Sequence, residues 1–408
     1  MVSPLLALLL QPVVQLLLTA QFSAASSTTT DDHPPPAATV RRRLLHSSQR
    51  RVPHIWRRGN QLIDRHSGQP VQLKGVGTMF AESSCIRGTG VIQGPFQQSI
   101  PAWRSWGVNA VRLPLNEDCW LDQHGAPPNF SGARYQNEVV GFVEQLLDVG
   151  IVAILDLHWT NSSGGLATSQ DLFLSGTSPQ FWESVASNAR LRNRPGVIFE
   201  LFNEPHGFLY PPPASFGLPP SCFTSGVRCA YKGRAGQVFT GFENVTRAVR
   251  VAANASNLIL YSGRRYAMDL KYLLDHLPHD PTGNYAVAWH PYEFKCTFND
   301  GVCTGEDGEV NASAVAAVLP LLVTEFAPLS TAPDVYLTGF QRWADSLPTG
   351  TVSLFPFCWN PGPYKYHLSV QHLVYGRSSV RCRVKILILC DELTSRRCSL
   401  FHICLLWF

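Results

Sequence analysis

The chain has 408 residues, of which 45% are hydrophobic and 15% charged. This composition provides for a large folded core and excludes a generally disordered protein. The formal net charge of +4 comes from the ends, because seven arginines precede residue 59 and seven Lys or Arg follow residue 363. The middle keeps 19 basic and 25 acidic residues (33 − 14 and 29 − 4), so its mildly acidic balance does not indicate a nucleic-acid partner.

Residues 1–25 have the features of a secretory signal peptide. Leu5 to Ala20 is apolar apart from two glutamines, and Ser23-Ala24-Ala25 offers small residues for cleavage. A single membrane anchor is the alternative, but the run is shorter than the roughly 20 residues that a span needs. We therefore predict a protein secreted to the extracellular space or cell wall, without a membrane span once the signal is removed.

Asparagine and cysteine patterns agree with export. Five N-x-S/T acceptors predict a glycoprotein, and the 11 cysteines suit an oxidising compartment. Close spacing predicts the disulfides Cys222/Cys229 and Cys296/Cys303, with Cys85/Cys119 as a third candidate. A buried free thiol is the alternative for any one cysteine. The acceptors are Asn129, Asn161, Asn244, Asn254 and Asn311.

Residues 26–52 are rich in Ser, Thr and Pro and then in Arg, which predicts a disordered linker or pro-segment. From residue 53 onward, short apolar runs alternate with longer amphipathic stretches. Most of the runs are apolar throughout, as strands buried on both faces are. The eight runs are 71–76, 108–113, 151–157, 197–202, 258–261, 285–289, 321–326 and 352–357.

Helical periodicity occupies the segments between the runs. It predicts helices over Arg134–Val149 and Gly236–Ala252, and Asp334 is suited to cap a third that extends to Leu347. Eight strand–helix units within residues 53–363 predict an α/β fold, a (β/α)8 TIM barrel in a single domain. A doubly wound sheet is less favoured, because Gly75-Val-Gly77 lacks the third glycine of a phosphate-binding turn.

Polar and aromatic side chains follow six of the predicted strands. In a (β/α)8 barrel the carboxyl ends of the strands share one face, where functional residues lie. For any single residue, a structural ion pair or a satisfied buried histidine explains the pattern equally well, and only their shared location predicts a site. The residues are Arg112, His158, Asn203, Glu204, His290, Tyr292, Glu325, Trp359 and Asn360.

Glu204 and Glu325 each end an apolar run, 121 positions apart (325 − 204). Burying a carboxylate is costly unless a site uses it. Paired carboxylates are the usual apparatus for breaking glycosidic bonds, because one donates a proton and the other attacks the sugar carbon. Arg112 near Glu325 would keep that carboxylate ionised. Asp156 and Glu200 lie within strands, so we expect the alternation of side chains to point them away from the site, as structural partners of buried groups.

The stretch Val197–His206, with its Asn203-Glu204-Pro205, resembles the signature of glycoside hydrolase family 5, the cellulase-like family of retaining (β/α)8 enzymes. The resemblance covers roughly residues 53–363, and the sequence is similar to the plant cellulase-like branch. It implies that Glu204 is the acid/base and Glu325 the nucleophile. It also implies six substrate-binding residues, namely Arg112, His158, Asn203, His290, Tyr292 and Trp359.

This resemblance implies a retaining endo-β-glycosidase, cellulase-like or mannanase-like, that cleaves β-1,4-glucan or mannan by double displacement through a covalent glycosyl-enzyme. We expect a monomer that binds a polysaccharide or oligosaccharide, binds no nucleic acid and uses no cofactor. We predict no metal site, because His276 and His279, although three residues apart, have the pattern of a surface helix end. Two alternatives remain open: a catalytically impaired glycan-binding protein with the same groove, and a transglycosylase.

The resemblance ends near Pro363. We predict that residues 364–408 form a divergent C-terminal tail and that the eighth helix of the barrel is divergent or incomplete, with residues 366–376 as a short substitute. Loop aromatics are further candidates for sugar stacking, although ordinary loop packing explains each of them equally well. They are Trp120, Trp159, Tyr210 and Tyr231.

Overall fold

A computed structural model of the chain describes residues 51–78, 81–92, 96–208, 217–226, 228–231, 236–305, 308–327 and 333–357, and the backbone of 384–390 and 398–404. The predictions of a signal peptide, an eighth helix and most of the C-terminal tail lie outside the described residues. So does the linker prediction up to residue 50.

The strands are numbered in chain order. They are β1 Ile55–Arg58, β2 Gln61–Asp64, β3 Gly75–Gly77, β4 Ala110–Asn116, β5 Val152–Trp159, β6 Val197–Glu200, β7 Arg228–Ala230, β8 Val238–Thr240, β9 Ile259–Ser262, β10 Tyr285–Trp289, β11 Thr297–Asn299, β12 Val302–Gly305, β13 Gly308–Asn311, β14 Leu321–Phe326, β15 Val352–Pro356, β16 Val384–Cys390 and β17 Cys398–Cys404.

The described residues contain ten α-helices, most of them in the segments between the strands of the barrel. They are Ala81–Ser84, Phe96–Ser105, Glu117–Leu121, Gly132–Asp148, Ser178–Ser187, Phe242–Arg247, Arg264–Ala267, Leu270–Asp275, Ala312–Ala316 and Pro333–Ser346. A 3-10 turn spans Pro220–Cys222, and a π-helical turn spans Ala248–Ala252.

Eight parallel strands form one sheet that nearly closes into a barrel, in the order β15-β14-β10-β9-β6-β5-β4-β3. A parallel bridge between Lys74 and Leu354 joins its two ends. Phe355 fills the space beside Gly75, where an added Cβ would lie only 2.0 Å from its ring, so closure requires a glycine there. All eight predicted strands and the predicted barrel are confirmed.

The barrel has an apolar core inside the sheet and a second one between the sheet and the helices. Side chains that face inward include Ile154, Ile198, Leu260 and Leu322, all with 0% exposure. The antiparallel hairpin β1–β2 adds Ile55 and Leu62 to this inner cluster. It is fixed by a hydrogen bond from the Leu62 amide to the Gly350 carbonyl (2.8 Å), so the hairpin covers the amino-terminal end of the barrel.

Two of the predicted helices are confirmed and one prediction is partly wrong. The helix predicted over Arg134–Val149 occupies Gly132–Asp148, and the one that begins near Asp334 occupies Pro333–Ser346. The helix predicted over Gly236–Ala252 begins only at Phe242, because residues 238–240 form strand β8, which pairs with β7. The spacing of the apolar residues in this segment is compatible with either a strand or a helix.

The three predicted disulfides are present: Cys85–Cys119, Cys222–Cys229 and Cys296–Cys303. Each fastens a segment at or beyond the carboxyl end of a barrel strand. Strands β16 and β17, within the predicted tail, pair antiparallel. Among the helices of the described residues, none has both the length and the apolar character needed to cross a membrane.

Candidate active site

Arg112, on β4, lies at the centre of the predicted site and is almost wholly buried. Its guanidinium donates to Glu200 Oε2 (2.6 Å), Glu325 Oε1 (2.5 Å) and Asn203 Oδ1 (2.7 Å), and it lies 3.0 Å from Asp156 Oδ2. Burial alone would lower the pKa of Arg112, but the three carboxylates raise it well above its usual value. Asp156 and Glu200 are therefore partners of a buried cation, as predicted, but the prediction that they point away from the site is wrong, because both contact Arg112 within it.

Glu325, on β14, is held in an anionic state. Its side chain is only 5% exposed; one oxygen accepts from Arg112, and the other accepts from the Tyr292 hydroxyl at 2.6 Å. Burial alone would raise the pKa of Glu325, but the charges of His290 and Arg112, together with the Tyr292 hydrogen bond, lower it to about 2. This carboxylate is ionised and fixed in direction.

Glu204 has different surroundings. Its side chain is 18% exposed, and its Oε1 lies 3.0 Å from His290 Nδ1. The other ring nitrogen of His290 lies 2.9 Å from the Thr324 hydroxyl, which itself donates to Glu200. Because the single hydroxyl proton goes to Glu200, His290 Nε2 is the donor to Thr324.

His290 is fully buried among carboxylates. Burial alone would lower the pKa of its imidazole, but the Glu325 charge, the Glu200 carboxylate 3.8 Å from Nε2 and the hydrogen bond to Glu204 raise it to about 9. At neutral pH the ring is therefore protonated and donates from both nitrogens. Its hydrogen bond at Nδ1 fixes the direction of the Glu204 carboxylate.

The two glutamates face each other closely. One carboxylate oxygen of Glu204, one of Glu325 and a ring nitrogen of His290 lie within 4.8 Å of one another. Three such groups are also a potential metal-ligand set. His290 Nδ1 hydrogen-bonds Glu204 Oε1 and lies 3.9 Å from Glu325 Oε2, so the imidazole lies between the two carboxylates.

His158 and Asn203 complete one side of this site. His158 Nδ1 lies 2.6 Å from Asp156 Oδ2, and this carboxylate raises the pKa of His158 against the opposing effect of burial. Its Nε2 lies 3.5 Å from Asn203 Nδ2. The structure thus brings together seven predicted residues, namely Arg112, His158, Asn203, Glu204, His290, Tyr292 and Glu325.

Gln170 is a site residue that the sequence reasoning missed. Its Oε1 accepts from Asn203 Nδ2 (2.7 Å), and its Nε2 donates to the main-chain oxygen of Glu204 (3.0 Å). Gln170 lies in the long loop after β5, far from any strand end, so neither periodicity nor position indicated it. Thr324 was missed too, because it reads as an ordinary strand residue before Glu325.

Other predicted residues are placed differently. Trp120 is fully buried and packs against Tyr135, so the interpretation of it as a sugar platform is wrong. Trp159 and Tyr231 are half-buried. Trp359, Asn360 and Tyr210 lie outside the described residues.

Comparison with known protein families assigns this chain to a family. A family model described as cellulase (glycosyl hydrolase family 5) matches residues 65–363, which is most of the chain. The chain belongs to glycosyl hydrolase family 5. The glutamates, arginine and histidines described above all lie within the residues that match the family 5 model.

Solved structures support the family 5 fold. A hyperthermophilic endocellulase from the archaeon Pyrococcus horikoshii has 18% identity and a TM-score of 0.52, with 76% of this chain and 92% of that chain covered. A β-glucanase from Saccharophagus degradans has 19% identity and a TM-score of 0.50, with 76% and 85% covered. At these identities the likeness concerns the fold. A search of curated proteins found no match.

Proposed function

We propose that the protein is a retaining endo-β-glycosidase that cleaves β-linked glucan by double displacement. The observation that carries this proposal is the approach of one Glu204 oxygen and one Glu325 oxygen to within 4.8 Å. Retaining glycosidases hold their two carboxyl groups about 5–5.5 Å apart, whereas inverting enzymes need about 6.5–9.5 Å to admit a water. An approach of this size between the two oxygens favours the retaining separation.

In this proposal Glu325 is the nucleophile. A nucleophilic carboxylate must be ionised and aimed at the anomeric carbon, and the Arg112 and Tyr292 contacts favour both conditions. The carboxylate attacks the anomeric carbon, and the glycosidic oxygen leaves. A glycosyl-enzyme ester on Glu325 results.

Glu204 is the acid/base. Its carboxyl is the more exposed of the two, and the hydrogen bond from His290 fixes its orientation. It gives its proton to the leaving oxygen in the first step. In the second step it takes a proton from the water that attacks the glycosyl-enzyme, which releases Glu325 with retention of configuration.

The remaining residues bind the sugar at the cleavage point. We assign this role to Arg112, His158, Asn203, His290 and Tyr292, and to Trp359 on the basis of the sequence alone. The endocellulase and β-glucanase that resemble this chain make β-1,4-glucan the first substrate to test, and mannan the second. We further propose secretion, which the three disulfides support.

The test is hydrolysis of a panel of polysaccharides: carboxymethylcellulose, mixed-linkage β-glucan, glucomannan, galactomannan and xylan. We expect a glucan or mannan to be cut internally, with the β-anomer as the first product by NMR. Glu204→Gln and Glu325→Gln should each lower activity at least 1,000-fold, whereas the exposed control Glu144→Gln should not. An initial α-anomer, or full activity in Glu325→Gln, would contradict the proposal.

A further inference from the structure

Lys295 is a half-buried lysine in the loop after β10. Its ammonium lies 4.0 Å from the centroid of the Tyr266 ring and 5.4 Å from that of the Phe294 ring. Burial lowers its pKa below the usual value, against the opposing charges of Glu204 and Glu325. Within the part of the chain that the structure describes, this ammonium forms no ion pair, so its three N–H donors are available to a ligand.

A stack of side chains connects Lys295 to Glu204. His206 Nδ1 donates to the main-chain oxygen of Glu204 (2.8 Å), and its ring stacks on Tyr266 with centroids 4.4 Å apart. The His206 ring and the Lys295 ammonium thus both contact the Tyr266 ring, which links the Glu204 segment to the ammonium.

The backbone that carries Tyr266 is strained. Arg265, Tyr266 and Ala267 have φ values of 58°, 61° and 60°, which side-chain-bearing residues rarely adopt. The turn is held by hydrogen bonds from the Tyr266 amide to Pro205 O (3.0 Å) and from the His290 amide to Ala267 O (3.3 Å). Strain of this kind, fastened to segments that carry reacting groups, is typical of functional sites.

Phe294 presents an exposed aromatic ring beside the nucleophile. The residue is 61% exposed, and its ring centroid lies 5.6 Å from that of Tyr292, whose hydroxyl binds Glu325. The segment is rigid on its other side, because the Cys296–Cys303 disulfide follows directly. The Lys295 carbonyl also packs so tightly on Gly305 that an added Cβ there would lie 2.0 Å from it.

We propose that Phe294 and Lys295 form the subsite for the neutral pyranose on the leaving-group side of the scissile bond. This inference rests on the proposed function. The exposed ring supplies an apolar platform for the sugar face, and the ammonium donates to hydroxyl oxygens, the combination typical of small-ligand sites. The stack that begins at Glu204 places the subsite beside the acid that protonates the leaving oxygen.

The same subsite receives an incoming sugar in the second step. An acceptor hydroxyl attacks the anomeric carbon of the glycosyl-enzyme, its proton passes to Glu204, and the Glu325 carboxylate is released. The products are a new glycosidic bond and free enzyme, so no further reactant is needed. Phe294 and Lys295 thereby determine how far an acceptor sugar competes with water.

The test compares two substrates of the sugar that the polysaccharide panel ranks first. One is a tetrasaccharide, which fills the leaving-group side, and the other is the disaccharide fluoride, whose leaving group needs no subsite. Lys295→Met and Phe294→Ala should lower kcat/KM for the tetrasaccharide 10- to 100-fold. The factor by which each variant lowers kcat/KM for the fluoride should be at least ten times smaller. Two control variants should change neither: Lys271→Met, an exposed lysine, and Trp106→Ala, which like Phe294→Ala removes an exposed aromatic ring.

Acceptor transfer gives a second readout. With the fluoride as donor and a neutral disaccharide as acceptor, the wild type should form a transfer product, and Lys295→Met should form at least fivefold less. Equal losses on both substrates, or no loss, would overturn the inference, as would a preference for an acceptor that carries a uronate. If the wild type turned over neither substrate, the proposed function itself would fail.

Discussion

Glu204 and Glu325 are chemically identical side chains that the fold places in opposite surroundings. Glu325 is buried against Arg112 and Tyr292, whereas Glu204 is partly exposed and contacts His290. Such divergent surroundings are how one residue type serves both as acid and as nucleophile. The sequence predicted both glutamates, because each follows an apolar run, but their surroundings depend on contacts between residues far apart in the chain.

The charge of His290 predicts an alkaline loss of stability. Its pKa is about 9 in the folded protein against an ordinary 6.5, so its contribution is fully present below pH 6.5 and is lost as the pH rises through 9. We expect the free energy of unfolding of the wild type to fall by on the order of 3 kcal/mol over that range. Chemical denaturation at a series of pH values measures it.

The variant His290→Gln should flatten this slope, and the exposed His276→Gln should retain it. Because only the slope is compared, a general destabilisation of His290→Gln does not obscure the result. An unchanged slope in His290→Gln would show that this imidazole is neutral in the folded protein.

At the scale of elements, one loop holds the acid/base segment in place. The main chain of Ala167 is bound on both sides, since its carbonyl accepts from Asn116 Nδ2 (2.9 Å) and its amide donates to Asp118 Oδ2 (2.6 Å). Glu117 accepts hydrogen bonds from Ser175, Thr177 and Ser178. The end of β4 thus fixes the loop after β5, and that loop presents Gln170 to Asn203 and Glu204.

Replacing Gln170 with leucine should therefore impair catalysis more than stability. The change removes an acceptor for Asn203 and a donor to Glu204 O, so we expect kcat to fall about 10- to 100-fold, with a smaller change in KM. The matched control is Gln61→Leu, which also removes one hydrogen bond to a main-chain carbonyl, that of Thr349. Steady-state kinetics and melting temperatures of both variants give the comparison.

Similar losses of melting temperature in both variants, with kcat lowered only in Gln170→Leu, would support a positioning role. A fall in kcat that is matched in Gln61→Leu would mean that Gln170 contributes only to folding.

The extent of what the sequence could predict differs between strands and loops. Parallel strands buried on both faces leave continuous apolar runs, so all eight were found, and residues at their carboxyl ends were found with them. Gln170, Phe294 and Lys295 lie in loops whose positions are fixed by side chains distant in sequence. The sequence also left Trp120 open between sugar stacking and packing, because it does not show that the helix Glu117–Leu121 turns this residue toward Tyr135 and Phe181.

At the scale of the whole molecule, the disulfides strengthen the face of the barrel that carries the site. Cys85–Cys119 joins the segments after β3 and β4 across 34 residues, whereas Cys222–Cys229 spans seven. In the chain-entropy model, a disulfide stabilises the folded state more when it closes a longer loop.

The stability lost when each disulfide is removed should follow that order. We expect the double change Cys85→Ser with Cys119→Ser to lower the free energy of unfolding by about 4 kcal/mol, and Cys222→Ser with Cys229→Ser by about 2–3 kcal/mol. Denaturant titration under oxidising conditions measures both. The reverse order would show that local packing, rather than loop length, determines their contributions.

The account depends most on Glu325 acting as a nucleophile, and covalent trapping tests that role directly. The purified protein would be incubated with 2-deoxy-2-fluoro glycosides of glucose and of mannose, and the adduct located by peptide mass spectrometry. We predict one adduct, on Glu325, that is absent from Glu325→Gln. A folded protein that forms no adduct with either sugar, or an adduct on a different residue, would contradict the account.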